Sequence, residues 1–292
     1  MKGRMKIADY IKAFSPLWSL FFVSFFLLGY FRGSGNAAAG LSPRIFLSLL
    51  FGLSAVLLII QLHYCELGHK LSSYSPVVRF CLPLRNIVAL ALALLVISIV
   101  LAATVKLPFV IGVIVVLTPF LFFVFSPVSW RKRGLWYNLA FLLAAFLLFS
   151  LGWILSGGSF PSMLLHSIPY LLFAFFFSVI IWHLEEKPPE TIFSRFSHRE
   201  LILLLILGLA LIGIVSCLLH EQVIFLLSIF LFPFLLWSVF APRREILLLN
   251  VMLFLMPVFT AFYFIDYIWY VFLLVVSCVF RLVYILLLPK RG

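Results

Sequence analysis

The stretch Ile180-Ile181-Trp182-His183-Leu184-Glu185-Glu186-Lys187-Pro188-Pro189-Glu190-Thr191-Ile192-Phe193-Ser194-Arg195 holds three of the chain's nine acidic residues within six positions. An apolar run from Pro161 to Trp182 leads into it, and another from Leu201 to Leu219 leads out. Charges bracketed by two such runs sit where a membrane span meets water, because an ionised side chain within hydrocarbon is costly. Runs of this length suit helices rather than strands, since a helix satisfies its own backbone within one segment. The stretch therefore reads as the polar connection between two transmembrane helices.

The rest of the chain repeats that pattern. Hydrophobic residues make up 65% of it, charged residues 10%, and the mean hydropathy is +1.27, values outside the range of soluble domains. Runs long enough, or nearly so, to cross about 30 Å of hydrocarbon fall at 14–31, 45–62, 86–105, 107–128, 136–156, 161–182, 201–219, 222–240, 246–265 and 267–288. The expected class is all-α, a polytopic transmembrane bundle of nine to ten spans forming one integral membrane domain over 1–292. Nine applies if the first run is a cleaved signal, for which Ala37-Ala38-Ala39 offers small residues. Against cleavage, the run is longer than a signal core, and nine spans give the wrong parity for the charge distribution.

The net charge of +12 does not point to nucleic acid, because the basic residues are not gathered on one soluble face. They fall in alternate connections. Of 21 Lys and Arg, all but Arg32, Arg44 and Lys106 lie on the side of the N-terminus, so that side is expected to be cytoplasmic and both termini with it. The four cysteines, Cys65, Cys81, Cys217 and Cys278, show no C-x-x-C pairing, and no disulfide framework is expected.

An earlier stretch echoes the central one. His63-Tyr64-Cys65-Glu66 closes the second run as His183-Leu184-Glu185-Glu186 closes the sixth, each with a His and a Glu three residues apart and a common offset of 120 residues. If the helices continue that far, each pair lies side by side on one face. The offset divides the chain into a pseudo-repeat of two halves, about 1–128 and 129–245, followed by C-terminal helices over 246–288. His63 with Glu66 and His183 with Glu186 have the spacing that supplies transition-metal ligands in helical bundles. The alternative is that the imidazoles sit at helix C-termini, favoured by the dipole, with the glutamates merely solvated.

Other features are local. Ser197-His198-Arg199-Glu200 reads as a capping box opening the seventh span. His220-Glu221-Gln222 reads as a tight external turn, and Asn138, Gly152, His166 and Pro169 as helix-packing positions or ligand contacts. Pro119 is an expected kink in the fourth span.

Ser126 through Arg133, Asn138, Gly152-Trp153, Ser167-Ile168-Pro169-Tyr170 and Arg281 with Tyr284 stand in an order across ten spans that resembles the UbiA superfamily of intramembrane prenyltransferases. The resemblance covers nearly the whole chain and implies a helical bundle around an intramembrane isoprenoid cavity. In that family an Asn-Asp-x-x-Asp-x-x-x-Asp motif ends the second span and an Asp-x-x-x-Asp motif ends the sixth. Those carboxylates hold Mg²⁺, which binds a prenyl diphosphate. Here Leu62 stands at the Asn position, His63 and Glu66 at the first two Asp positions and Lys70 at the third. In the second motif His183 and Lys187 take the Asp positions, with Glu186 one place short. A lysine near 4 Å from a dication costs on the order of several kcal/mol at an effective dielectric of about 20.

Three readings follow. The chain is a UbiA-like protein that binds an isoprenoid, another membrane lipid or a protein partner. Alternatively it is an active prenyltransferase, moving a polyprenyl group to an aromatic or lipid acceptor. Lys70, Arg131, Lys132, Arg133 and Lys187, with Asn138, would then hold the substrate, and Glu66 or Glu186 would act as base. The third reading is a polytopic transporter or assembly subunit, in which the charged patches gate a path.

Overall fold

The computed structural model describes residues 16–35, 41–66, 84–125, 134–184 and 196–240. Every secondary-structure element among these residues is an α-helix: α1 (Pro16–Ser34), α2 (Pro43–Glu66), α3 (Leu84–Ala103), α4 (Leu107–Phe125), α5 (Gly134–Leu155), α6 (Phe160–Leu184), α7 (His198–Leu218) and α8 (Gln222–Phe240). Each coincides with one of the first eight hydropathic runs. The expected ninth and tenth spans lie outside the described residues.

The start of α7 follows capping chemistry. At α7 the Ser197 hydroxyl accepts from the Glu200 backbone N–H and the Glu200 carboxylate accepts from the Ser197 N–H, so the expected capping box is present. Prolines are tolerated inside several helices: α4 runs through Pro119, α6 through Pro169 and α8 through Pro233.

Small residues decide how closely the helices approach. α1 and α5 cross where a Cβ at Gly29 would run into the Phe149 carbonyl and one at Gly152 into the Phe26 carbonyl. Only glycine permits that approach, and close backbone contact is what drives helix association in lipid. α2 and α3 are joined by a reciprocal pair: the Ser48 hydroxyl donates to the Ser98 carbonyl at 2.9 Å, and the Ser98 hydroxyl to the Ser48 carbonyl at 2.7 Å. α1 packs between α2 on one side and α5 with α6 on the other, while α4 closes against α2, α3 and α5. α7 packs on α6, and α8 on α7.

The outer surface is apolar. Leu92, Val96 and Val100 on α3, Ile111 and Ile114 on α4, and Leu203, Leu207, Ile214 and Leu218 on α7 are exposed. Such rows of large aliphatic side chains would drive aggregation in water and are matched to lipid. Four of the helices are long and apolar enough to cross a membrane by themselves. The chain is an integral membrane protein.

Candidate functional site

Chain alternation divides the bundle into two ends. One end carries the short connections α3–α4, α5–α6 and α7–α8, and the other the longer ones after α2, α4 and α6. The sequence-derived site belongs to the second end. α2 continues through Glu66, so His63 and Glu66 stand three residues apart within one helix, and α6 runs through His183. Lys70, Arg131, Lys132, Arg133, Glu186 and Lys187 lie outside the described residues, as does the expected approach of Glu66 to Glu186.

Asn138 is the one expected substrate-binding residue whose side-chain environment is described. It stands one turn into α5, is only 3% exposed, and its Oδ1 has no hydrogen-bond partner among the described residues. Phe141, one turn further along the same buried face, packs against Phe21 and Phe22 of α1 at 5.9 and 4.9 Å between ring centroids, and Phe22 meets Phe120 of α4 at 4.9 Å. A buried oxygen left unpaired costs roughly 1–3 kcal/mol, and Ser150 Oγ and Ser216 Oγ share this state among the described residues.

The opposite end holds a polar cluster that the hydropathic reading did not find. α7 ends in a left-handed residue, His220, at φ 56°. The His220 N–H donates to the Cys217 carbonyl and the Glu221 N–H to the Ser216 carbonyl, the Schellman pattern that turns a chain back after a helix. This turn directs Glu221 inward rather than outward, and it is 3% exposed. Its Oε1 accepts from Arg32 Nε of α1 at 2.9 Å and meets His166 Nδ1 of α6 at 2.5 Å; its Oε2 accepts from the Tyr170 hydroxyl at 3.0 Å. Trp153 of α5 stacks on the His166 ring at 5.7 Å and 20°, and its indole N–H donates to the Ser159 carbonyl. Phe149 packs on Tyr170 at 5.1 Å.

The expected tight turn at His220-Glu221-Gln222 is present, and within it the Glu221 side chain makes a buried ion pair that joins α1, α6 and the α7–α8 connection. Arg32 and Glu221 are 189 residues apart, and no local pattern reveals their partnership. His166 proves to be a packing residue with a carboxylate partner. With only two ligand-type side chains, His166 and Glu221, the cluster is not a metal centre among the described residues.

No protein-family model matches the chain, and no curated protein matches it in sequence. Solved structures do match its fold. A UbiA homologue from Archaeoglobus fulgidus bound to GPP and Mg²⁺ superposes with a TM-score of 0.57 at 17% identity, over 87% of this chain and 99% of that one. The same homologue bound to DMAPP and Mg²⁺ gives 0.54 at 15% identity, over 87% and 98%. A digeranylgeranylglyceryl phosphate synthase gives 0.56 at 12% identity, over 87% and 95%. At these identities the likeness speaks to the path of the chain, which is shared almost from end to end. The protein shares the helical membrane fold of these UbiA homologues.

Proposed function

We propose that the protein binds an isoprenoid whose anionic headgroup lies at the end of the bundle where α2 and α6 terminate. The observation that carries this reading is Asn138, a buried residue with an unpaired amide oxygen, one helical turn before Phe141, whose ring packs against Phe21 and Phe22. An aromatic wall accepts a prenyl chain, and the amide oxygen accepts a hydroxyl or a bound water. Lys70, Arg131, Lys132, Arg133 and Lys187 belong to connections at the same end and supply the countercharge for a diphosphate. The bound ligands of the structural neighbours, GPP and DMAPP, are of the same class.

Mg²⁺ does not fit this donor set. The positions that correspond to the family's carboxylates carry His63, Glu66 and Lys70 in one motif and His183 and Lys187 in the other. Mg²⁺ demands hard oxygen ligands in octahedral array, and two ammonium groups repel it. The headgroup is instead held by direct ion pairing. A second reading, prenyl transfer with Glu66 or Glu186 as base, is favoured by the synthase among the structural neighbours.

Two organisational proposals accompany this one. Both termini face the cytoplasm, on the strength of the uneven Lys and Arg distribution. The chain comprises two halves, 1–128 and 129–245, plus C-terminal helices over 246–288. The halves are supported by matching helix lengths of 19, 24, 20 and 19 residues against 22, 25, 21 and 19.

The test is a titration of geranyl diphosphate against the purified protein with EDTA and with Mg²⁺. Equal affinity in both is expected, weakening as salt rises, and Lys187→Asp should cost about tenfold, the equivalent of one lost charge contact. Binding or turnover that EDTA abolishes and Mg²⁺ restores would mean that Glu66, Glu185 and Glu186 suffice as ligands. The absence of binding in both would remove the diphosphate site.

A further inference from the structure

The α7–α8 hairpin carries a groove in the half nearest its turn. The groove has a volume of about 470 Å³ and follows the seam between the two helices, from Leu209 and Phe232 at mid-height to Leu218 beside the turn. Small side chains make its floor: Ala210, Gly213 and Cys217, on successive turns of α7. Gly213 differs from the glycines that join α1 to α5. A Cβ at Gly29 or Gly152 would collide with the backbone of the neighbouring helix, whereas one at Gly213 would meet Ser228 of α8 at 3.4 and 3.7 Å, an ordinary contact. The Ser228 hydroxyl donates to the Ile224 and Phe225 carbonyls of its own helix, so it is already satisfied.

The groove opens outward. Ile214, Leu218 and Ile229 along its rims are 59%, 73% and 55% exposed, and Ala210 and Cys217 on its floor are exposed as well. In an integral membrane protein such a mouth faces hydrocarbon, and a groove left empty there forfeits dispersion contact along its lining. Its dimensions select what fills it. The rise from Leu209 to Leu218 is about 14 Å, close to half of a hydrocarbon core of roughly 30 Å. That is the depth of one leaflet, whereas a transmembrane helix crosses both. The volume spread over this length leaves a section of roughly 35 Å², less than half that of a helix about 10 Å across.

We propose that this groove binds one acyl chain of a phospholipid, drawn from the leaflet that meets the α7–α8 turn. The chain lies along Ala210, Gly213 and Cys217, with Ile214 and Ile229 as its walls. Apart from the Cys217 thiol and the satisfied Ser228 hydroxyl the lining is hydrocarbon, so the groove recognises the chain and not the headgroup. The site lies away from the end where α2 and α6 terminate and does not rest on the function proposed above.

A phosphatidylcholine with a diazirine at mid-chain tests it, on the full chain in lipid nanodiscs, with adducts located by peptide mass spectrometry after irradiation. Leu165 of α6 and Leu211 of α7 are exposed on the same half of the bundle and serve as the reference. Adducts in the groove are expected to exceed those at the reference by about threefold, because a chain there is walled on three sides instead of one. Ala210→Phe and Cys217→Phe, each at an exposed position that tolerates a ring, fill the groove and should bring its labelling down to the reference level. Leu165→Phe should leave it unchanged. Equal labelling of groove and reference in the unaltered protein would mean ordinary lipid contact and overturn the site. Absence of labelling in the groove would also overturn it, since protein would then cover the floor. Dimers cross-linked through Cys217 by a bis-maleimide, with Cys65, Cys81 and Cys278 replaced by serine, would in that case assign the groove to a second copy, and their absence to another segment of this chain. A polyprenol that displaces the label at about a tenth of the phosphatidylcholine concentration needed would overturn the acyl chain in favour of an isoprenoid.

Discussion

Glu221 and Asn138, buried polar residues at opposite ends of the bundle, are partnered in opposite ways. At the Glu221 end both carboxylate oxygens are engaged: Oε1 by Arg32 and His166, Oε2 by Tyr170. At Asn138 the amide oxygen, in an equally buried residue, is left over, as is the hydroxyl of Ser216 beside the Glu221 turn. In a protein with 65% hydrophobic residues polar side chains are scarce, so a fully engaged one and one with an unpaired oxygen ask for different explanations. It also warns against taking the more conspicuous cluster for the active one. A His, a Glu, a Tyr and an Arg within hydrogen-bonding distance invite a catalytic reading, yet their bonds run to one another.

The largest test of this contrast is Glu221→Ala. It leaves buried Tyr170 and part-buried Arg32 and His166 without their acceptor and should lower stability by about 3 kcal/mol. Thermal unfolding in detergent measures it, and a loss below about 1 kcal/mol, the scale of an exposed pair, would mean that the cluster is solvated. At the other end the sign reverses. Asn138→Leu, close in size, removes the unpaired Oδ1 and should raise stability by about 1 kcal/mol while weakening the binding of geranyl diphosphate. If Asn138→Leu destabilises the protein, the amide has a partner and the difference between the ends collapses.

Smaller changes sharpen the picture of the clamp. Tyr170→Phe removes a single donor to Glu221 Oε2 and should cost about 1 kcal/mol, near the values found for hydrogen bonds between membrane helices. A double-mutant cycle with Arg32→Ala, read by unfolding, should show coupling, because both residues bind one carboxylate. The least effect is expected of His220→Gly. His220 holds a left-handed φ of 56°, where a Cβ is crowded. Glycine relieves that crowding but gains freedom in the unfolded chain, so the net gain in stability should be only about 0.5 kcal/mol. A loss would show that the His220 side chain itself contributes at the turn.

Much of the fold was legible in the order of residues because a helix in lipid is a local object. Its length is set by the bilayer and its hydrogen bonds close within the segment, so the runs from 45–62 and 161–182 foretold α2 and α6 with ends only a few residues displaced. The Ser197–Glu200 capping box was readable for the same reason, since its two partners are three residues apart. The spacing of the His63–Glu66 pair was equally local, and α2 does extend to include it. The candidate site was legible as a set of residue types at the ends of two runs.

What only the tertiary structure decided was which polar groups meet. Arg32, His166 and Glu221 come from one apolar run and two connections, and as sequence each looks like an interface anchor, a packing residue or a turn. Their pairing depends on α1 lying against α5 and α6, which in turn depends on Gly29 and Gly152 letting two backbones touch. Asn138 likewise gained its meaning from its surroundings: an amide near a helix start is ordinary, and one buried with an unpaired oxygen is not. Hydropathy records the cost of each residue's contact with lipid, a property of the residue alone. Partnership across the bundle is a property of the packing, and it is written in no single stretch of the chain.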